Sequence, residues 1–203
     1  MKRIYKTLLM LISCALTFLL LFMGLSRENY CFAQSTLLTM STSNNTNIAL
    51  SKQYSNAYFS LNYPSSWQIV QDDNQVATST TIAVQIMEKQ TNNTDFRPNI
   101  NIIVSSKKWS EPTSYIAKQT SQNNRKMIPT YRQIGICDTQ IGKCKGSLLE
   151  YIFSVNGYTL RGRQYIVKKV DNTIFYITAT TDNGKDKTQI KTIKAILNSI
   201  KIK

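Results

Sequence analysis

Two groups of aspartates could bind a divalent metal ion through their carboxylates. Asp72 and Asp73 are adjacent, and Asp182 and Asp186 stand four residues apart around an Asn-Gly pair. Calcium prefers carboxylate oxygens, but neither group has the longer ligand series and the closing glutamate of an EF-hand loop. An Asx turn leading into a helix explains Asp182 more simply. The four aspartates are therefore calcium candidates, and the residues themselves predict no cofactor.

Of the four cysteines, Cys14 and Cys31 lie within the N-terminal residues 1–33, which leaves Cys137 and Cys144 in the rest of the chain. An even pair in an exported domain predicts a disulfide, here one that closes a short loop. A redox-active pair is typically Cys-x-x-Cys, and a zinc site needs two ligands beyond the two thiolates. We therefore expect a structural disulfide between Cys137 and Cys144.

Four basic residues form a candidate site for an anionic partner. Arg161 and Arg163 lie two apart in a predicted strand and so point to the same face. Lys143 and Lys145 would approach them if the disulfide loop folds back. Arginine binds carboxylates and phosphates through paired hydrogen bonds. The alternative interpretation is a solvated strand face with no bound ligand.

Histidine is absent from the chain. Its absence removes the commonest general base, the nucleophile systems that pair serine or cysteine with histidine, and the commonest ligand of catalytic metals. Catalysis by carboxylates alone or by a Ser-Lys pair remains, and the sequence shows no constellation for either. We therefore predict that the protein is not an enzyme.

The charge balance is basic and uneven. The whole chain carries a net charge of +14, and residues 101–203 hold 18 basic and 6 acidic residues. Such a balance is typical of nucleic-acid binding, but export argues against that partner, and no basic stripe is interleaved with stacking aromatics. The remaining partners are the acidic face of a membrane protein complex, an anionic membrane surface or an acidic cell-surface polymer. A basic surface that is simply solvated is the other interpretation.

The N terminus has the layout of an export signal. Three basic residues precede an apolar run from Leu8 to Leu25, and small residues before Gln34 suit signal peptidase, which predicts a signal in residues 1–33. The run also approaches the length of a membrane span, so an uncleaved anchor stays open, as does lipidation at Cys14 in a loose lipobox. Each outcome places the domain outside the cytoplasm.

The rest of the chain predicts one domain behind a tether. Residues 34–56 are rich in Ser, Thr and Asn and are predicted to be flexible, whereas 57–203 suffice for one core and a monomeric domain. Alternation predicts strands at 58–63, 67–70, 81–87, 99–104, 149–155, 158–167 and 173–181. Helices are predicted after Glu111-Pro112 and from Lys187, and Asn156-Gly157 predicts a hairpin. This order indicates an α+β fold, an antiparallel sheet with helices packed on it.

The segment 59–67, which reads Phe-Ser-Leu-Asn-Tyr-Pro-Ser-Ser-Trp, resembles the opening signature of PsbP-like domains, an aromatic strand followed by Tyr-Pro-x-x-Trp. A middle helix, a Gly-ended hairpin, a β-branched strand and a last helix ending in Asn198-Ser199-Ile200 follow in the family's order. The resemblance covers roughly residues 57–203. It implies a PsbP-like α/β/α sandwich around an antiparallel sheet, with structural roles for Phe59, Tyr63, Pro64 and Trp67.

The resemblance also implies a non-catalytic, extracytoplasmic accessory role. Photosynthetic members are extrinsic subunits of photosystem II that help retain calcium and chloride, so calcium is implied here by family likeness only. Other members are exported proteins without a photosystem. This chain has neither a histidine nor a recognisable photosystem-docking segment, so we carry over the fold rather than the photosystem role. The alternative is a stand-alone small-ligand-binding or envelope-stress protein of the DcrB-like kind, with a pocket between sheet and helix.

Overall fold

A computed structural model describes residues 48–72, 82–90 and 96–203 of the chain. The predicted signal, residues 34–47 of the predicted tether, and Asp73 lie outside these ranges. The described residues form ten strands and two helices. In chain order they are β1 (Lys52–Ser55), β2 (Phe59–Tyr63), β3 (Trp67–Asp72), β4 (Ile82–Glu88), β5 (Asn99–Lys108), α1 (Thr113–Met127), β6 (Arg132–Ile141), β7 (Cys144–Val155), β8 (Tyr158–Lys168), β9 (Thr173–Asp182), α2 (Asp186–Asn198) and β10 (Lys201–Ile202).

The strands form two antiparallel sheets. The larger has seven strands in the order β3-β4-β5-β9-β8-β7-β6, and the smaller has the order β1-β2-β10. Strands β6 to β9 form a meander, with each strand beside the next in the chain. The predicted α+β class with a central antiparallel sheet is confirmed.

The two helices cover opposite faces of the seven-stranded sheet. Successive strand residues point to opposite sides, so Phe175 joins a core that includes Ile193 of α2, whereas the preceding Ile174 joins one that includes Ile116 of α1. We call these sides the α2 face and the α1 face. The small sheet adds Phe59 and Leu61 of β2 to the core on the α2 face. The layers are those of the predicted α/β/α sandwich.

The Tyr-Pro-x-x-Trp segment lies in the core on the α2 face. Phe59 and Trp67 are almost completely buried, and Tyr63 and Pro64 are also shielded. The backbone N–H of Trp67 donates to the carbonyl of Pro64 at 3.0 Å, which closes the turn between β2 and β3. The segment therefore turns the chain from the small sheet into the large one.

Two-residue turns join β6 to β7 and β7 to β8. Asn156 and Gly157 have φ values of 49° and 82°, the signs that a type I′ turn requires, and Val155 pairs with Tyr158 as the sequence predicts. A second hairpin, between β6 and β7, turns at Gly142 with a φ of 57°. The sequence did not predict that hairpin.

The structure differs from the expected elements in several ways, among them that β7 begins at Cys144 rather than at Leu149 and that the short strand β10 was not expected. Strand β1 lies inside the predicted tether. Its residues Lys52 to Ser55 pair with β2 and so form part of the fold. Strand β6 was not predicted, since its side chains are mostly exposed and a register shift between Gln133 and Gly135 interrupts the alternation. Helix α1 continues to Met127, beyond the expected end near Asn123. Neither helix among the described residues is long and apolar enough to cross a membrane.

Candidate functional site: two basic groups and a buried polar stripe

Arg161 and Arg163 lie on the α2 face of β8, and the structure places two carboxylates beside them. Glu150 stands opposite Arg163 on β7, and its Oε1 lies 3.0 Å from Nε of Arg161 and 2.8 Å from Nε of Arg163. Asp186, the first residue of α2, accepts from both terminal nitrogens of Arg163 at 2.6 and 2.7 Å. Thr181 of β9 donates its hydroxyl to Asp186 at 2.6 Å. We call these five residues the arginine network.

The network is shielded, and its charges stabilise one another. Side chains of Arg163 and Asp186 are only 10% and 11% exposed. Burial by itself raises the pKa of Asp186, but hydrogen bonds from Arg163 and Thr181 and the positive charge of both arginines outweigh it and hold the pKa below its usual value. For Arg163, burial lowers the pKa, and the bond to Asp186 reverses the shift. The network therefore attaches the start of α2 to the sheet.

The predicted anion site is not assembled. Arg161 and Arg163 already have carboxylate partners within the fold. Lys145 lies five residues from Glu150 along β7, about 17 Å away at strand spacing, and its odd position puts it on the α1 face. Lys143 occupies the turn before β7. The structure thus separates the lysines from the arginines, because the loop that was expected to join them is an extended hairpin.

The prediction of a disulfide is also wrong, because the hairpin keeps the two cysteines apart. Cys144 pairs with Ile141, whereas Cys137 pairs with Leu148. The two cysteines are thus four strand residues apart, about 13 Å, and a disulfide needs α-carbons within about 7 Å. Both are free thiols. Burial, followed by the nearby carboxylates of Glu150 and Asp138, raises the pKa of Cys137, so its reactive thiolate is disfavoured at neutral pH.

Two of the calcium candidates, Asp182 and Asp186, make other contacts within the fold. Both oxygens of Asp186 accept from Arg163, so this carboxylate is neutralised by a cation of the protein itself. Asp182 accepts from the backbone N–H of Gly184 at 2.8 Å, which forms the predicted Asx turn before α2. Asp72 ends β3, and Asp73 is not described. In the described ranges no three Cys, Asp or Glu side chains are grouped as a metal site.

A second basic group lies on the outer side of α2. Lys187, Lys191 and Lys194 recur at helical spacing and are exposed, and Lys201 follows just after the helix. We call these four the lysine face. The ion pairs of the described residues involve other basic side chains, so no carboxylate within residues 48–72, 82–90 and 96–203 pairs with the lysine face.

The sequence did not predict a third feature, a row of polar side chains on the α1 face of β4, β5, β9 and β8. Along this row Gln85 stands opposite Asn101, Asn101 opposite Thr178, and Thr178 opposite Gln164. Asn99 and Thr180 form the next pair. All six are buried. We call them the polar stripe. In the sequence, polar residues that alternate with isoleucine along a strand resemble the solvated face of that strand.

These features define a small α+β sandwich with an exposed basic helix and, among its described residues, no cluster of metal-ligating side chains. The chain belongs to the PsbP-like protein family, whose sequence profile matches residues 11–202. The match begins well before residue 57, where the resemblance in the sequence was placed.

Solved structures support the same fold. The cyanobacterial PsbP of Synechocystis sp. PCC 6803 superposes with a TM-score of 0.55 at 14% identity, covering 81% of this chain and 99% of that one. LpqN of Mycobacterium tuberculosis, a protein involved in cell envelope biogenesis, gives 0.54 at 16% identity, covering 71% and 82%. No curated protein sequence matches this chain. At these identities the likeness concerns the fold alone.

Proposed function

We propose that this protein is an exported, non-catalytic accessory module that works at the extracytoplasmic face of a membrane. It binds the acidic face of a membrane protein complex through the lysine face. The observation that carries this proposal is the unpaired charge of Lys187, Lys191 and Lys194, which stand exposed on one side of α2. The N-terminal charged and apolar segment supports export.

The packing of α2 favours a protein partner over insertion into lipid. An amphipathic helix that lies in a membrane buries its own apolar side there. In α2 that side, with Ile193, Ile196 and Leu197, is already buried against the sheet. Only the charged side of α2 can contact a partner, and exposed charges of this kind mainly guide association with an oppositely charged surface. The missing histidine supports a binding role rather than a catalytic one.

The test is recovery of the tagged full chain from its host after light cross-linking of intact cells, with mass spectrometry of co-purifying proteins. A parallel sample without cross-linking is washed in about 1 M NaCl, where charges are screened beyond about 3 Å. We expect a membrane complex with an acidic extracytoplasmic face, released by that wash. Recovery of the domain alone, or a complex that resists the salt, contradicts the proposal.

A matched pair of variants assigns the surface. Lys187→Glu, Lys191→Glu and Lys194→Glu combined should abolish recovery of the complex. The control reverses three exposed basic residues on α1, with Lys118→Glu, Arg125→Glu and Lys126→Glu, and so changes the net charge equally. Equal losses in both variants would show that net charge, rather than the lysine face, attracts the partner. If the purified chain binds phosphatidylglycerol vesicles as strongly as it binds the complex, the partner is the membrane surface rather than a protein.

A further inference from the structure

Strand β6 is an open edge of the seven-stranded sheet. It runs for ten residues, Arg132–Ile141, with mostly exposed side chains, and among the described strands only β7 pairs with it. A sheet edge presents unpaired backbone N–H and C=O groups, and native proteins usually shorten it or place lysine or proline on it. From Gly135 onward β6 is regular and contains neither lysine nor proline. This edge can therefore accept another strand.

The hairpin between β6 and β7 determines which backbone groups of β6 point outward. Ile141 and Cys144 flank its two-residue turn and pair with each other, and such a pair exchanges both backbone hydrogen bonds. Hydrogen-bonded positions alternate along an antiparallel ladder, so Cys137 also bonds to β7. Its neighbours Ile136 and Asp138 therefore direct their N–H and C=O groups away from the sheet.

A second copy of the same edge fits this pattern about a two-fold axis at Cys137. Ile136 of each copy is then opposite Asp138 of the other, and both pairs join outward-facing N–H and C=O groups. Gly135 is opposite Thr139, so the side chains beside the axis are small on that face. A register about Asp138 would instead put two like charges opposite each other, which is destabilising.

The same register brings two thiols together. Cys137 is exposed and stands opposite Leu148, which packs against the core on the α2 face. Across the axis it meets Cys137 of the second copy at a position without hydrogen bonds between the strands, where α-carbons lie about 4.5 Å apart. A disulfide spans α-carbon separations of about 4.4 to 6.8 Å. The two thiols can therefore be joined.

Charge also favours contact at this edge. The chain carries a net charge of +14, so two copies repel each other over much of their surface. Residues 133–142 contain no basic side chain and one acidic one, Asp138. A pairing of about five residues buries less than the roughly 1,200 Å² of a stable interface. Such a pair is weak on its own and needs a covalent link to persist.

We propose that two copies of this chain pair through β6 and that a disulfide between their Cys137 side chains fixes the pair. The oxidant is a disulfide compound in the compartment. One Cys137 thiolate attacks it, which leaves a mixed disulfide and releases one thiol. The second Cys137 thiolate then attacks the protein sulfur of the mixed disulfide and releases the other thiol. Two protein thiols and one oxidant disulfide thus give one protein disulfide and two free thiols.

The pair has a property that a single domain lacks. Because the two-fold axis is perpendicular to the sheet, both lysine faces lie on the same side of the joined sheets. Two linked lysine faces contact an acidic surface together, which raises the effective concentration of the second contact. Pairing uses no residue of the lysine face and so does not require docking. The monomeric domain expected from the sequence is then the reduced form.

The test uses the full chain with Cys14, Cys31 and Cys144 replaced by serine, which leaves Cys137 as the remaining thiol. The chain is incubated in mild detergent with oxidised glutathione at about pH 9, because the raised pKa of Cys137 slows the reaction at neutral pH. Non-reducing electrophoresis and light scattering measure the product. We expect mainly a covalent dimer that dithiothreitol separates. A monomer that carries only glutathione overturns the proposal.

A displaced thiol is the matched control. Cys137→Ser combined with Thr139→Cys, in the same background, keeps one thiol on the same face of β6. About the proposed axis the two displaced thiols stand four residues apart, about 13 Å. Dimer formation should therefore be at least about tenfold slower, since this separation is beyond disulfide reach. Equal rates in the two chains would show random collision and overturn the proposal.

A proline at the edge tests the strand pairing itself. Asp138→Pro, with Cys137 kept as the remaining thiol, removes an outward N–H, and proline is tolerated at such edge positions. Dimer formation should fall to the rate of the displaced thiol, and an undiminished rate overturns pairing through β6. Should circular dichroism show that this variant is unfolded, the displaced thiol decides alone. Triple reversal of the lysine face should leave the dimer intact, so the two proposals fail separately.

Discussion

The two basic groups of this protein lie on the same side of the large sheet but have opposite roles. Arg161 and Arg163 are held by Glu150 and Asp186 and are largely shielded. The lysine face is exposed and has no acidic partner among the described residues. Identical formal charge therefore stabilises the fold in one place and is available to a partner in the other.

The difference comes from the residues that tertiary folding brings close. Glu150 is 11 residues from Arg161, and Asp186 is 23 residues from Arg163. Both carboxylates are too far along the chain from their arginines for these ion pairs to be predicted from sequence spacing alone. The side-chain types agree with the roles, since the planar fork of arginine suits a bidentate, desolvated carboxylate, and lysine is a strongly hydrated point charge.

The largest effect should follow removal of the acid at the centre of the network. Asp186→Ala leaves Arg163 shielded without its main counter-charge, and breaking a buried pair from one side costs about 3 kcal/mol or somewhat more. Urea unfolding followed by circular dichroism measures the change. The control Asp138→Ala removes an exposed carboxylate from β6 and should change the unfolding midpoint little.

A double variant separates the loss of an ion pair from the loss of packing. Arg163→Met with Asp186→Leu replaces both charges with apolar side chains, which is often neutral for a buried pair. We expect the double variant to recover most of the stability lost in Asp186→Ala. If the double variant is as unstable as Asp186→Ala, the ion pair itself contributes stability that apolar packing does not replace, and the cost of an unpaired arginine does not explain the loss.

The network should also make stability depend on acid. Because the pKa of Asp186 is lower in the folded protein than its unfolded value of about 3.9, its contribution is complete above that unfolded value. It is lost as the pH falls through the folded pKa. The unfolding midpoint of the wild type should therefore drop more steeply below about pH 4 than that of the double variant. Parallel curves would show that Asp186 is not the responsible group, since Asp171 also has a lowered pKa.

Much of the fold could be predicted because strand alternation and helical period are local. Strands β2, β4 and β8 were expected close to where they occur, as were both helices. Strand β6 was missed since it lies at the edge of the sheet and its exposed side chains do not alternate. Its absence from the prediction also produced the wrong disulfide, because two cysteines near each other in sequence are separated by an unseen hairpin.

The candidate sites were harder to predict than the fold. The polar side of β5 was not expected to be buried, because an antiparallel strand that alternates Asn with Ile usually has one solvated face. Here the sandwich shields both faces, so Asn99 and Asn101 are buried. The pairing of Arg163 with Asp186 depends on where α2 starts relative to β8. That relation is set by packing and has no local signal.

The smallest effect should come from the lysine face. Lys191 has like charges four residues before it and three residues after it on the same side of α2, and such pairs destabilise a helix by a few tenths of a kcal/mol. Lys191→Glu replaces repulsion with attraction on both sides and should stabilise the protein by about 0.5 kcal/mol.

Urea unfolding at low and high salt measures this gain, which should shrink as salt screens the pairs. Lys118→Glu on the exposed side of α1 is the matched control and should produce a smaller change. If Lys191→Glu instead destabilises the protein by more than about 1 kcal/mol, a size unusual for a surface substitution, Lys191 is engaged within the fold. The contrast between a structural arginine network and an available lysine face would then fail, because both groups would stabilise the domain.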